Sequence, residues 1–150
     1  MAKKLFFTNN DISIAILRIT LGIVMLGHGL QKAFGLFGGF GWTNTVHYFT
    51  DTVGVPAALG GFIILIETVG ALLLIFGFAG RIQAALMIAV ITGAFFVDHL
   101  PNGFFMNWNM EANKGEGWEY FILLFALAII VLIKGGGKAS IDAALTKKSK

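Results

Sequence analysis

The sequence predicts an all-α integral membrane protein, a four-helix bundle with a short amphipathic helix in the first outer loop. Three observations predict it. Apolar residues make up 57% of the 150-residue chain and charged residues only 13%, about half the charge a soluble domain of this length carries. The apolar residues gather into four blocks, residues 12–30, 55–78, 82–97 and 118–133, which an evenly patterned soluble core does not need. The basic residues fall very unevenly between the segments that join those blocks.

Residues 1–4 resemble the start of a signal peptide, but Asn9, Asn10, Asp11 and Arg18 interrupt the apolar run behind them and no small-x-small site closes it. The first block is therefore read as a retained span. A helix needs about 20 apolar residues to cross the hydrocarbon core, with a range of roughly 17–25. The first two blocks reach this directly. The third and fourth are short and borrow flanking residues such as Arg81 and Lys134, whose stems snorkel.

Between the first two blocks, Gly35, Gly38, Gly39 and Gly41 predict irregular backbone, and residues 43–52 read as the amphipathic helix, with Val46, Phe49 and Val53 on one face. Gly54 and Pro56 end it. After the fourth block, residues 135–137 break the helix and the remainder lies as a short segment at the membrane surface. The whole is one domain, residues 1–150.

With four spans the termini share a side. That side holds Lys3, Lys4, Arg81, Lys134, Lys138, Lys147, Lys148 and Lys150, against Lys32 and Lys114 on the other. The excess puts both termini, and the turn at residues 78–81, on the cytoplasmic side of the membrane. The outer segments then carry Trp42, Trp108 and Trp118, both tyrosines (Tyr48 and Tyr120), and His28, His47 and His99. Functional chemistry is expected on that face.

The chain has no cysteine, which removes disulfides, thiolate metal sites, thiol nucleophiles and CxxC redox pairs. A net charge of +3 with no basic recognition pattern points to no nucleic-acid partner. No HxxxH or ExxH pair marks a metal site. A b-type haem would need two facing histidines, for which His28 and His99 are the pair available.

Arg18 and Glu67 lie inside spans, where a charge costs about 2.5–3.5 kcal/mol on insertion scales and seeks a partner. From helix rise, their depths differ by about 7 Å, within the reach of an arginine, so an Arg18–Glu67 ion pair is expected. Two readings of it stand open: a staple that fixes packing, or Glu67 as part of a proton path or ligand pocket. Gly22, Met25, Gly29 and Lys32 share the Arg18 stripe, and Gly60, Ile63 and Leu74 share that of Glu67. A second constellation forms the outer rim: His28, Lys32, Asp98, His99 and Glu119. Its members suit helix capping, a quinone carbonyl, proton transfer or a metal.

The chain resembles the DoxX family of small four-span bacterial membrane proteins from about Ile12 to Leu145. The resemblance rests on Leu17-Arg18 with Gly22, the run Gly27-His28-Gly29-Leu30-Gln31-Lys32, Gly54-Val55-Pro56, Glu67-Thr68-Val69-Gly70 leading to Gly77 and Arg81, Gly117-Trp118-Glu119, and Ser140-Ile141-Asp142. It implies association with membrane redox systems, including quinone-linked oxidation, and Arg18, Glu67 and Glu119 as polar residues lining the bundle interior. Electron transfer would then use a bound quinone, a haem or a partner subunit, with homo- and hetero-oligomers both open. Three functions compete: a quinone-interacting subunit of a membrane oxidoreductase, a non-enzymatic scaffold for a partner complex, and a small-solute or proton transporter using Glu67.

Overall fold

Asp11 opens the first helix. Its backbone is extended and its carboxylate accepts a hydrogen bond from Ser13 N at 2.8 Å, which satisfies a donor that the helix leaves orphaned. In the computed structural model, which describes residues 6–8 and 10–147, this helix α1 spans Ile12–Phe34. It stops at Gly35, whose φ of 71° is the left-handed C-cap that glycine adopts without a steric penalty. Helix α2 is Gly41–His47, prolonged by a wide π-type turn over Tyr48–Val53. Helix α3 is Ala57–Phe76, α4 is Gly80–Asn102, α5 is Glu119–Lys134 and α6 is Ile141–Lys147. No strand occurs among the described residues. The start at residues 1–4, together with Lys3, Lys4, Asn9, Lys148 and Lys150, lies outside the described residues.

Helices α1, α3 and α4, of 23, 20 and 23 residues, are each long and apolar enough to cross a membrane. Helix α5 has 16 residues, about 24 Å at the usual rise, and falls short of a hydrocarbon core of about 30 Å. The first and third expected spans end too early: α1 continues four residues past Leu30, and α4 starts before Ile82 and ends beyond Val97. Polar residues such as Lys32 and Asp98 end an apolar block without ending a helix.

One face of each long helix meets the core. Leu21 and Met25 of α1, Ala71 and Leu74 of α3, Ala84, Met87 and Ile91 of α4, and Phe121, Leu124, Ala128 and Val131 of α5 form one cluster. The three- and four-residue spacings are those of a helical stripe. Helix α1 packs on α3 and α5, and α4 packs on the same two. The outward faces carry apolar side chains, among them Ile16, Ile23, Phe62, Leu65, Phe96, Leu123 and Ile133. That is the pattern of a protein solvated by lipid.

Three π-type turns interrupt the helices, at Tyr48–Val53, Ile66–Gly70 and Phe95–His99. Such turns are rare and concentrate at functional positions. They carry Tyr48, Glu67, Asp98 and His99.

Candidate functional site at the Lys32–Glu67 pair

Glu67 sits in the π-type turn of α3 and is 4% exposed. Its partner is Lys32, not Arg18: Lys32 Nζ lies 2.7 Å from Glu67 Oε2. The same oxygen accepts no hydrogen bond of good geometry. The backbones come together because residue 29 is glycine; a Cβ there would stand 2.3 Å from the Glu67 carbonyl oxygen. Lys32 is only partly buried, so the pair joins a sealed carboxylate to an ammonium that still reaches the helix surface.

The expected Arg18–Glu67 pair is therefore corrected. Helices α1 and α3 run with Gly29 against Glu67 and Gly22 against Ala71 and Ile75, which puts Arg18 level with the last turn of α3. There it finds better acceptors. Its guanidinium donates to the carbonyls of Leu74 (2.7 Å), Ile75, Gly136 (2.7 Å) and Ala139 (3.2 Å). Two of these are carbonyls at the end of α3, which carry partial negative charge; Leu74 O also accepts from the capping Gly77 N at 3.0 Å. The buried stripe of α3 runs through Gly60, Ile64, Glu67, Ala71 and Leu74, with Ile64 where Ile63 was expected.

At the Arg18 end the C-terminal segment folds back into the helices. Asp142 accepts hydrogen bonds from Ala79 N and Gly80 N, each at 2.8 Å, and so caps α4 from outside that helix. Asp142 N donates to Gly77 O, and Lys138 N to Asp11 O. Nothing in local spacing announces this cap, because donor and acceptor are 62 residues apart. Arg81 donates to the carbonyls of Leu132 and Ile133 and holds the end of α5.

The five rim residues do not converge on one point. His28 lies exposed on α1, within electrostatic range of Lys32 and His99. The His99 ring faces the carbonyls of Glu116 (3.0 Å) and Gly117 (3.2 Å) and packs on Phe121. Asp98 accepts a hydrogen bond from the Tyr48 hydroxyl, a link sequence reasoning missed, since nothing in the sequence pairs residues 50 positions apart. That bond pushes the Tyr48 hydroxyl pKa up to about 12. Glu119 does not line the interior that the resemblance implied. It is half-buried at the start of α5 and accepts from Trp108 Nε1 at 2.7 Å and Met106 N at 3.4 Å, tethering the loop before it. Beside α2, the His47 ring at 3.4 Å and the Thr50 hydroxyl at 2.7 Å both face Asp51; the Thr50 bond, more than His47, lowers its pKa.

Several apolar helices of membrane-crossing length around a buried ion pair define a multi-pass membrane protein. The DoxX family pattern matches residues 13–100, and the chain belongs to that family. It is 29% identical over 117 residues, 78% of this chain and 76% of the relative, to a Bacillus subtilis (strain 168) protein named "Putative oxidoreductase CatD". No solved structure matches it.

Proposed function

We propose that this chain is a quinone-associated subunit of a membrane oxidoreductase system, in a bacterial cytoplasmic membrane with both termini in the cytoplasm. Helix α5 crosses as the fourth span, with Trp118 and Lys134 anchoring its two ends at the interfaces. The observation that carries the reading is the Lys32–Glu67 pair: an intramembrane carboxylate, nine-tenths buried, keeps an oxygen without an aligned hydrogen bond beside a partly accessible ammonium. Ionisable residues at such depth mark substrate or proton sites by default. The ammonium is a donor for a quinone carbonyl, and the carboxylate an acceptor for a quinol hydroxyl. A quinone there would supply two-electron, two-proton chemistry. The chain's own part is to bind the headgroup, shield it from water and hold a proton at Glu67. Electrons would come from a partner subunit, and the oxidoreductase name of the B. subtilis relative agrees with that setting.

Lipid extraction of the protein purified from native membrane tests this. Quinone above the level of bulk lipid is expected, and reduced retention in Glu67→Gln. Equal, background quinone in both would overturn the reading.

A second reading, a non-enzymatic scaffold for a partner complex, draws on the rim. There Glu119, His99, Asp98 and Tyr48 spend their polar atoms on holding the chain's own loops. On that reading His28→Ala and Glu119→Ala leave complex assembly intact, whereas disrupting residues 42–54 abolishes it.

A further inference from the structure

The nine residues from Phe34 to Trp42 read Phe-Gly-Leu-Phe-Gly-Gly-Phe-Gly-Trp, and their large side chains point away from the protein. Phe34, Phe37 and Phe40 are 70%, 74% and 75% exposed, and Leu36 and Trp42 are exposed beside them. A soluble surface does not present such a patch without an occupant.

Three further observations say what the occupant is. The loop is uncharged: residues 33–50 hold no Asp, Glu, Lys or Arg. The other loop at this end, also rich in exposed aromatics, carries Glu111, Lys114 and Glu116. The loop's backbone is also supplied with internal partners beneath the exposed rings. Gln31 Nε2 donates to Phe37 O at 3.4 Å, Asn44 Nδ2 to Phe40 O at 3.1 Å, and Gly39 N to Leu36 O at 3.0 Å. Water makes such partners unnecessary, whereas a low-dielectric surrounding requires them. Finally, Phe37 holds a left-handed backbone at φ 53°, a costly conformation for a bulky residue. The glycines around it show that the small residue was available, so the ring itself has a use.

Gly39 turns the loop back on α1; a Cβ there would lie 2.4 Å from Gln31 O. The exposed rings thus continue the apolar outer wall of α1 rather than standing clear of it. We propose that residues 34–42 form a lipid-inserted wedge, with Phe34, Phe37 and Phe40 entering the boundary between headgroups and acyl chains at the Lys32 end of the helices. The wedge rests on α1 crossing a bilayer and is independent of any quinone at Lys32–Glu67. It would anchor the turn between α1 and α2 and fix the depth at which Lys32 meets the lipid.

Because the chain has no cysteine, Phe37→Cys and Phe40→Cys each accept one nitroxide label, with Asn113→Cys as the reference in the charged loop. The full-length protein in phosphatidylcholine–phosphatidylglycerol bilayers is relaxed with oxygen, which concentrates in lipid, and with a nickel chelate, which stays in water. The ratio of oxygen to nickel accessibility at residues 37 and 40 should exceed that at 113 several-fold. A ratio equal to that at 113 would place the loop in water and overturn the wedge. Low accessibility to both relaxants would place it under protein, a second copy or a partner, and would overturn it equally. These side chains are exposed, so labelling does not disturb packing; Phe34→Cys supplies a third position if either variant is not recovered. Failure here leaves quinone retention at Lys32–Glu67 unaffected.

Discussion

Lys32 meets Glu67 because Gly29, one turn earlier on α1, lets the backbones of α1 and α3 close to contact. The two charges are unequally buried, at 29% and 5% side-chain exposure, so removing one is not equivalent to removing the other. Lys32→Met strands a carboxylate that cannot reach water and should destabilise by about 3 kcal/mol, the lower end for breaking a buried pair. Glu67→Gln leaves an ammonium that can turn outward and should cost about 1 kcal/mol. The double variant should recover most of the larger loss, since neither charge remains. Unfolding of all three in one detergent measures it, and strictly additive losses would show that the two groups do not act as a pair.

Gly29 and Gly27 make a matched test of the close approach. A Cβ on Gly29 meets the Glu67 backbone, which cannot step aside as a side chain can, while one on Gly27 meets nothing within 4 Å. Gly29→Ala should destabilise by about 1–3 kcal/mol through overpacking. Gly27→Ala should be neutral or slightly stabilising, as glycine lowers helix propensity. Equal thermal shifts in the two variants would mean that α1 and α3 do not approach at Gly29.

Much of the fold was legible because apolar blocks and their periodicity are written in consecutive residues. The α1 stripe of Arg18, Gly22, Met25 and Gly29 is buried as its spacing predicts. What failed was the pairing across helices. Counting rise from the ends of the blocks put Arg18 and Glu67 about 7 Å apart in depth, within an arginine's reach, but depth does not say which way a long side chain turns. Arg18 turned toward the carbonyls closing α3, and Lys32, taken for a rim residue, turned inward to Glu67. The Asp142 cap and the Tyr48–Asp98 link were beyond reach because each joins residues 50 or more positions apart.

Asp142 gives a prediction at the other end of the molecule. Its carboxylate holds the amides of Ala79 and Gly80 at the start of α4 while its own amide binds Gly77, so the cap and the C-terminal segment form one unit. Asp142→Ala should cost about 1–2 kcal/mol, as loss of an N-cap does. Hydrogen exchange should rise first at the amides of residues 79–80 and in residues 137–147, with the Lys32 end unchanged. Asp142→Asn, which keeps one acceptor oxygen, should show a smaller effect at the same amides. Protection unchanged in both variants would contradict the cap.

Tyr48 and Asp98 tie the turn beyond α2 to the end of α4, and the tie has a defined pH window. The Tyr48 hydroxyl is the donor, and its pKa is raised to about 12, from about 10 in the unfolded chain, chiefly by its bond to Asp98. A pKa raised on folding means the bond contributes fully below about pH 10 and is lost as pH climbs through about 12. Tyr48 is only partly buried, so the stabilisation is small and the titration itself is the better observable. The difference in tyrosinate absorbance between the parent protein and Tyr48→Phe isolates this one hydroxyl from Tyr120. Its midpoint should fall near pH 12, and the stability gap between the two proteins should be constant below pH 10 and shrink above it. A midpoint near 10 would mean that Tyr48 is free in solution and that α2 and the turn after it are held by other contacts, among them Trp42 against Gly61, Phe49 against Gly60 and the Thr45 hydroxyl on Lys32 O.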